Sequence, residues 1–162
     1  MAEIEGLEAS EEVQATFDTG AVAMAAALDE ARDDPSLREE VAAFFQVQRR
    51  LIEAQAHHLR VHWPAADRWF AEAVRQAPSL PAAYAEWGEA RLARGDLDGA
   101  IAKFSLAHER GPRFADPLKG WGDALGRQGR WSEAVRRYDQ ALADAPAWRD
   151  LIRAHAVAAR AG

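Results

Sequence analysis

The densest cluster of metal-ligating groups in this 162-residue chain is histidine: His57, His58 and His62. His58 and His62 have the i, i+4 spacing with which one helix face can present two imidazoles to a metal. The residues between them are Leu59, Arg60 and Val61, so no H-E-x-x-H motif is formed. A metal-dependent enzyme built on these three is the weakest of the readings. The carboxylates are abundant but show no recognisable catalytic spacing. The serines (Ser10, Ser36, Ser79, Ser105 and Ser132) include none in a G-x-S-x-G elbow. There is no cysteine, hence no thiolate nucleophile, cysteine zinc site or disulfide framework. The expectation is a chain that is not an enzyme and holds no cofactor or metal.

What must position these residues is a repeat. Residues 81–114 and 115–148 are two copies of one 34-residue unit. Seven positions are identical at that offset: Trp87/Trp121, Gly88/Gly122, Ala90/Ala124, Gly95/Gly129, Ala100/Ala134, Ala107/Ala141 and Pro112/Pro146. A fixed period of this size marks a solenoid of stacked supersecondary units. Gly88 and Gly122 fall mid-helix, where glycine costs about 1 kcal/mol against alanine. They are expected where two helices come close, with Ala100 and Ala134 as the small residues that permit it. Gly95 and Gly129 should end the first helix of each unit, and Pro112 and Pro146 should stop the second.

The pattern Tyr84-x2-Trp87-Gly88…Ala100-x3-Phe104…Pro112, with Leu118-x2-Trp121-Gly122-x2-Leu125…Ala134-x3-Tyr138…Pro146 after it, resembles the tetratricopeptide repeat, TPR. Arg91 departs from it, standing where the family prefers a large apolar residue, with Leu92 expected to fill part of that space. Counting back one period gives a weaker repeat at 47–80. Ala66, Phe70, Ala73 and Pro78 fit, but Arg50, Glu53 and His57 replace large apolar residues. The resemblance implies an all-α, right-handed superhelical solenoid of about three TPR-like helix-turn-helix repeats. An N-terminal helical extension over 1–46 precedes the repeats at 47–148, and a capping helix over 149–162 follows. The helix count is eight, in four antiparallel pairs. In the cap, Leu151, Ile152, His155 and Val157 are expected to cover the last repeat, while Arg149, Arg153 and Arg160 stay wet.

The formal net charge of −6 conceals an asymmetry. Residues 1–46 hold 12 acidic and 2 basic side chains, and residues 47–162 hold 14 and 18. The balance argues against nucleic acid as a partner. No run of 18 apolar residues predicts membrane insertion. The start has no basic n-region or apolar h-region of a signal peptide, and with the lack of cysteine this fits a cytoplasmic setting. Ser10 is expected to cap a helix over 10–32, with Val13, Phe17, Met24 and Leu28 as its apolar stripe. Asp33-Asp34-Pro35 then breaks it, and a long helix runs to about His62. The stripe is expected to pack in cis on Leu37, Val41 and Phe44 or Phe45. The favoured state is therefore a monomer, and a homodimer through these helices is the alternative.

In the family, first helices of successive repeats line a concave groove that holds an extended peptide or a partner helix. Carried over by position, the resemblance nominates Gln48, Leu51, Gln55, His58 and Leu59 from the weak repeat. The middle repeat gives Ala82, Ala85, Glu89, Leu92 and Ala93, and the last gives Asp116, Lys119, Asp123, Gly126 and Arg127. The same register packs His57 inward. The family's carboxylate clamp for chaperone tails is not matched: its positions hold Leu51, Gln55, Glu86, Asp116 and Gly120. The function implied is a non-catalytic protein-interaction module with a protein or peptide partner. An export-type chaperone for one secreted client is an alternative motivated by length, acidity and the N-terminal helix.

Overall fold

The computed structural model describes residues 22–162, and every structural statement below refers to them. Val13, Phe17 and the Ser10 cap lie outside the described residues. Among those described there are eight helical segments and no strand. The chain divides into two compact units, Met1–Gln76 and Ala77–Gly162.

In the first unit, α1 is helical over 22–30, α2 spans Pro35–Leu59 and α3 spans Trp63–Gln76. The expected break is present. Asp34 is the N-cap of α2, its Oδ1 accepting from the backbone N–H groups of Ser36 (3.0 Å) and Leu37 (3.1 Å), with Pro35 in the first turn. α2 has 25 residues and is about 37 Å long. The register boundary at 46/47 therefore falls inside one unbroken helix. Val47, Leu51, Ala54 and His57 recur every three or four residues and bury one stripe of α2, and Ala66, Phe70 and Ala73 do the same for α3, which packs against it. Leu37 and Phe44, nominated to receive the N-terminal helix, are 44% and 53% exposed.

In the second unit α4 (Pro81–Ala93), α5 (Leu97–Arg110), α6 (Ala115–Arg127), α7 (Trp131–Asp144) and α8 (Arg149–Ala161) pack in sequence. α4 touches α6 and α6 touches α8, so these three form one layer, with α5 and α7 behind them. Gly95 and Gly129 take φ of +83° and +77°, the left-handed conformation that closes each helical turn. α5 ends at Arg110 and α7 at Asp144, short of Pro112 and Pro146.

The glycines do allow a close approach, but rings rather than alanines make it. A Cβ on Gly88 would stand 2.7 Å from Phe104 Cε1, and one on Gly120 would run into the same ring. Gly122 is closed in the same way by the ring of Tyr138. Phe104 therefore lies between the backbones of α4 and α6 and is fully buried, which contributes about 1.5–3 kcal/mol. Ala100 and Ala134 are fully buried, but the atoms nearest these glycines are those of the rings. The cap is also corrected. Leu151 and Ala158 carry its packing, whereas Ile152 and Val157 remain 45% and 58% exposed.

Candidate functional site

The layer α4–α6–α8 brings four of the nominated polar groups into one electrostatic set. Lys119 and Asp123 are one turn apart on α6, and their Nζ and Oδ2 pair at 2.8 Å. The Tyr138 hydroxyl, reaching from α7, donates to Asp123 Oδ1 at 2.6 Å. Asp123 is thus held from both sides. Burial, then the bond to Asp123, pushes the Tyr138 phenol above its ordinary range. Glu89 occupies on α4 the position that Asp123 occupies on α6. Its residue surface is exposed, yet its carboxyl is pushed upward, first by burial and then by the negative charge of Asp123, with a smaller push from Asp116. Lys119 opposes that shift without cancelling it.

Other nominated positions have different roles. Ala85 is buried, and Leu51 is buried at 2% exposure in the first unit, so both pack rather than face a ligand. Burial overrides the positional carry-over here because α2 uses Leu51 in its stripe against α3. Gly126 is buried, with a Cβ there 2.9 Å from the Trp131 ring. Arg127 Nη1 donates to the Leu92 carbonyl at 2.7 Å. Its guanidinium braces the C-terminal end of α4 and belongs to the frame. Leu92 and Ala82 are half-buried, and Ala93 and Asp116 are exposed. In the first unit Gln48, Gln55 and His58 are half-buried and Leu59 is exposed.

His57 packs inward as expected, at 6% exposure, and its Nδ1 has no hydrogen-bond partner among the described residues. Burial first, then the charges of His62, Arg60 and Arg68, lower its pKa. The His57 and His62 ring centroids are 6.2 Å apart. Among the described residues no group of three or more histidine, aspartate or glutamate side chains is placed to hold a metal ion.

Three features went unread in the sequence. Lys103 Nζ sits 3.7 Å from the Trp87 ring centroid, and Arg137 Cζ sits 3.7 Å from that of Trp121. The two pairs are related by the 34-residue period, so a cation at the same place in both second helices was the available signal. Arg91 is no defect in the repeat. Its Cζ lies 5.5 Å from the Trp87 ring centroid, and its Nη1 pairs with Asp96 Oδ2 at 2.7 Å. Tyr138 enters the sequence reading only as a position of the repeat pattern, and its hydroxyl also donates to Asp123.

No family model matches the sequence, and no curated protein matches it either. Solved structures do match. The TPR2B domain of yeast Sti1, in its pHsp70 complex, is 18% identical and aligns over 70% of this chain and 96% of its own, with a TM-score of 0.64. The first TPR of Spaghetti (RPAP3), bound to the HSP90 peptide SRMEEVD, is 13% identical over 71% of this chain and 91% of its own, with a TM-score of 0.65. MamA is 16% identical over 96% of this chain and 85% of its own, with a TM-score of 0.64. The chain has a TPR-like fold, an all-helical repeat architecture.

Proposed function

We propose that this chain is a non-catalytic protein-interaction module whose α4–α6 face binds a peptide or partner helix presenting a lysine or arginine. The observation that carries this reading is Glu89. It is a carboxyl on the layer of first helices, pushed toward its neutral form by burial and by Asp123 and Asp116. A ligand cation placed there would relieve that repulsion. The Lys119 ammonium is committed to Asp123 and the Arg127 guanidinium to the Leu92 carbonyl. The acidic groups therefore set the sign of the face. Two neighbours of this fold hold chaperone segments, one of them the acidic peptide SRMEEVD. At the clamp positions this chain has Glu86 and Asp116, which disfavour an anionic tail. The polar groups brought together are an ion pair and a phenol–carboxylate hydrogen bond. They neutralise one another and activate no nucleophile.

The test is peptide selection from a random displayed library, followed by fluorescence anisotropy on synthetic versions of the enriched peptides. Enriched sequences should carry Lys or Arg, and E89K/D116K should weaken binding at least tenfold without lowering the melting temperature. Failure to enrich any peptide, or equal binding by the variant, overturns the reading.

A further inference from the structure

Glu89 and Asp123 are one repeat period apart and take the same place on α4 and α6. On α8 that place is held by Val157, so at this register the layer carries two carboxylates. Their surroundings differ at two further positions of the repeat. One turn before Asp123 stands Lys119, whereas one turn before Glu89 stands Ala85. The second helix of the last repeat brings Tyr138, and the middle repeat has Phe104 at that position. Both differences act on Asp123. Lys119 Nζ pairs with its Oδ2 at 2.8 Å, and the Tyr138 hydroxyl donates to its Oδ1 at 2.6 Å. The Lys119 ammonium also lies 5.8 Å from the Trp148 ring centroid, a second attraction that keeps it in place. The middle repeat offers Glu89 neither group. Ala85 ends in a methyl, and the Phe104 Cζ, which would have to carry a hydroxyl, is pressed against Gly120.

Resting on the cation-binding face proposed above, we infer that Tyr138 and Lys119 determine its specificity: they close the Asp123 carboxylate to a ligand and leave Glu89, alone of the two, to receive the lysine or arginine. A ligand ammonium aimed at Asp123 would have to displace Lys119, which is tethered one turn away. The tethered group has no association entropy to lose, whereas the ligand gives up translational and rotational freedom. Displacement would also strand the Lys119 ammonium, on a side chain only 22% exposed, beside a like charge. The other oxygen of Asp123 is taken by the phenol, and a hydrogen bond to a carboxylate is stronger than one between neutral groups. At Glu89 an arriving cation has no such pair to break. It meets a carboxyl already repelled by Asp123 and Asp116, and its charge offsets that repulsion. The two repeats thus present chemically similar acids, one spent within the fold and one open.

The test is NMR of the side-chain carboxyl carbons in the full chain at pH 7. The chain is titrated with the peptide acetyl-Gly-Ser-Lys-Ser-Gly-amide and, separately, with the same peptide carrying glutamine for lysine. In the native sequence the lysine peptide should move the Glu89 signal about threefold more than the Asp123 signal, and the glutamine peptide should move neither. K119A/Y138F gives the last repeat the alanine and phenylalanine of the middle one, and there the two signals should move alike. K119A alone keeps the packed ring and its hydroxyl and should move Asp123 by an intermediate amount, while K119R should retain the native pattern. Asp123 responding as strongly as Glu89 in the native chain, or staying still in both K119A variants, overturns the assignment and leaves the cation-binding face standing. Silence of both carboxyls in the native chain, or an equal response to the glutamine peptide, overturns the face itself and the assignment with it.

Discussion

At the scale of residues, a few side chains decide both the spacing of the helices and the sign of the face. An alanine at Gly88 or Gly122 would gain about 1 kcal/mol in helix propensity. It would also push its methyl into the Phe104 or Tyr138 ring, and overpacking of that kind costs about 1–3 kcal/mol. Each substitution should therefore lower stability in chemical denaturation, and Phe104→Leu should partly rescue Gly88→Ala. Glu89 gives a pH signature. Its folded pKa lies above its unfolded value, so its contribution is intact below the ordinary glutamate range and is lost as pH rises through the folded pKa. Glu89→Gln should then raise the melting temperature at pH 7, and the gain should vanish near pH 4. His57 has the opposite sign. Its folded pKa is depressed, so stability is present above pH 6.5 and lost as pH falls toward the folded pKa. His57→Gln should flatten the acid limb of the thermal stability profile between pH 7 and 5.

At the scale of elements, most of the architecture was legible because turn chemistry and period agree. Gly95, Gly129, Pro112, Pro146 and the Asp34-Pro35 start each mark an observed helix boundary. Side-chain roles were less legible. Position within the repeat named Leu51 and Arg127 as ligand-facing, but it could not say that α2 spends Leu51 on α3 or that Arg127 reaches a carbonyl 35 residues away. Glu89 and Asp123 could be nominated by position, but their mutual repulsion follows only from packing. The last helix shows the same limit. An apolar stripe predicts that one face is buried, without choosing between Leu151 and Ile152. Leu151→Ala should cost about 2–4 kcal/mol, as a fully buried leucine does. Ile152→Ser should change the denaturation midpoint by much less.

At the scale of the molecule, stability is distributed among neighbours, as in any stacked array. In the second unit the first helices touch only their neighbours within the layer, α4 with α6 and α6 with α8, and the ring between α4 and α6 does more than fill space. Phe104 presses on Gly88 of its own repeat and on Gly120 of the following one. One benzene ring therefore acts as a shim between two helices of the layer. At the next step Ala154 and Ala156 stand where Gly120 and Gly122 stood, so the bare backbone that receives such a shim is absent from α8. The pitch of the array is written in ring-and-glycine pairs, and the face could be opened or narrowed by exchanging those pairs alone, with every surface residue left untouched.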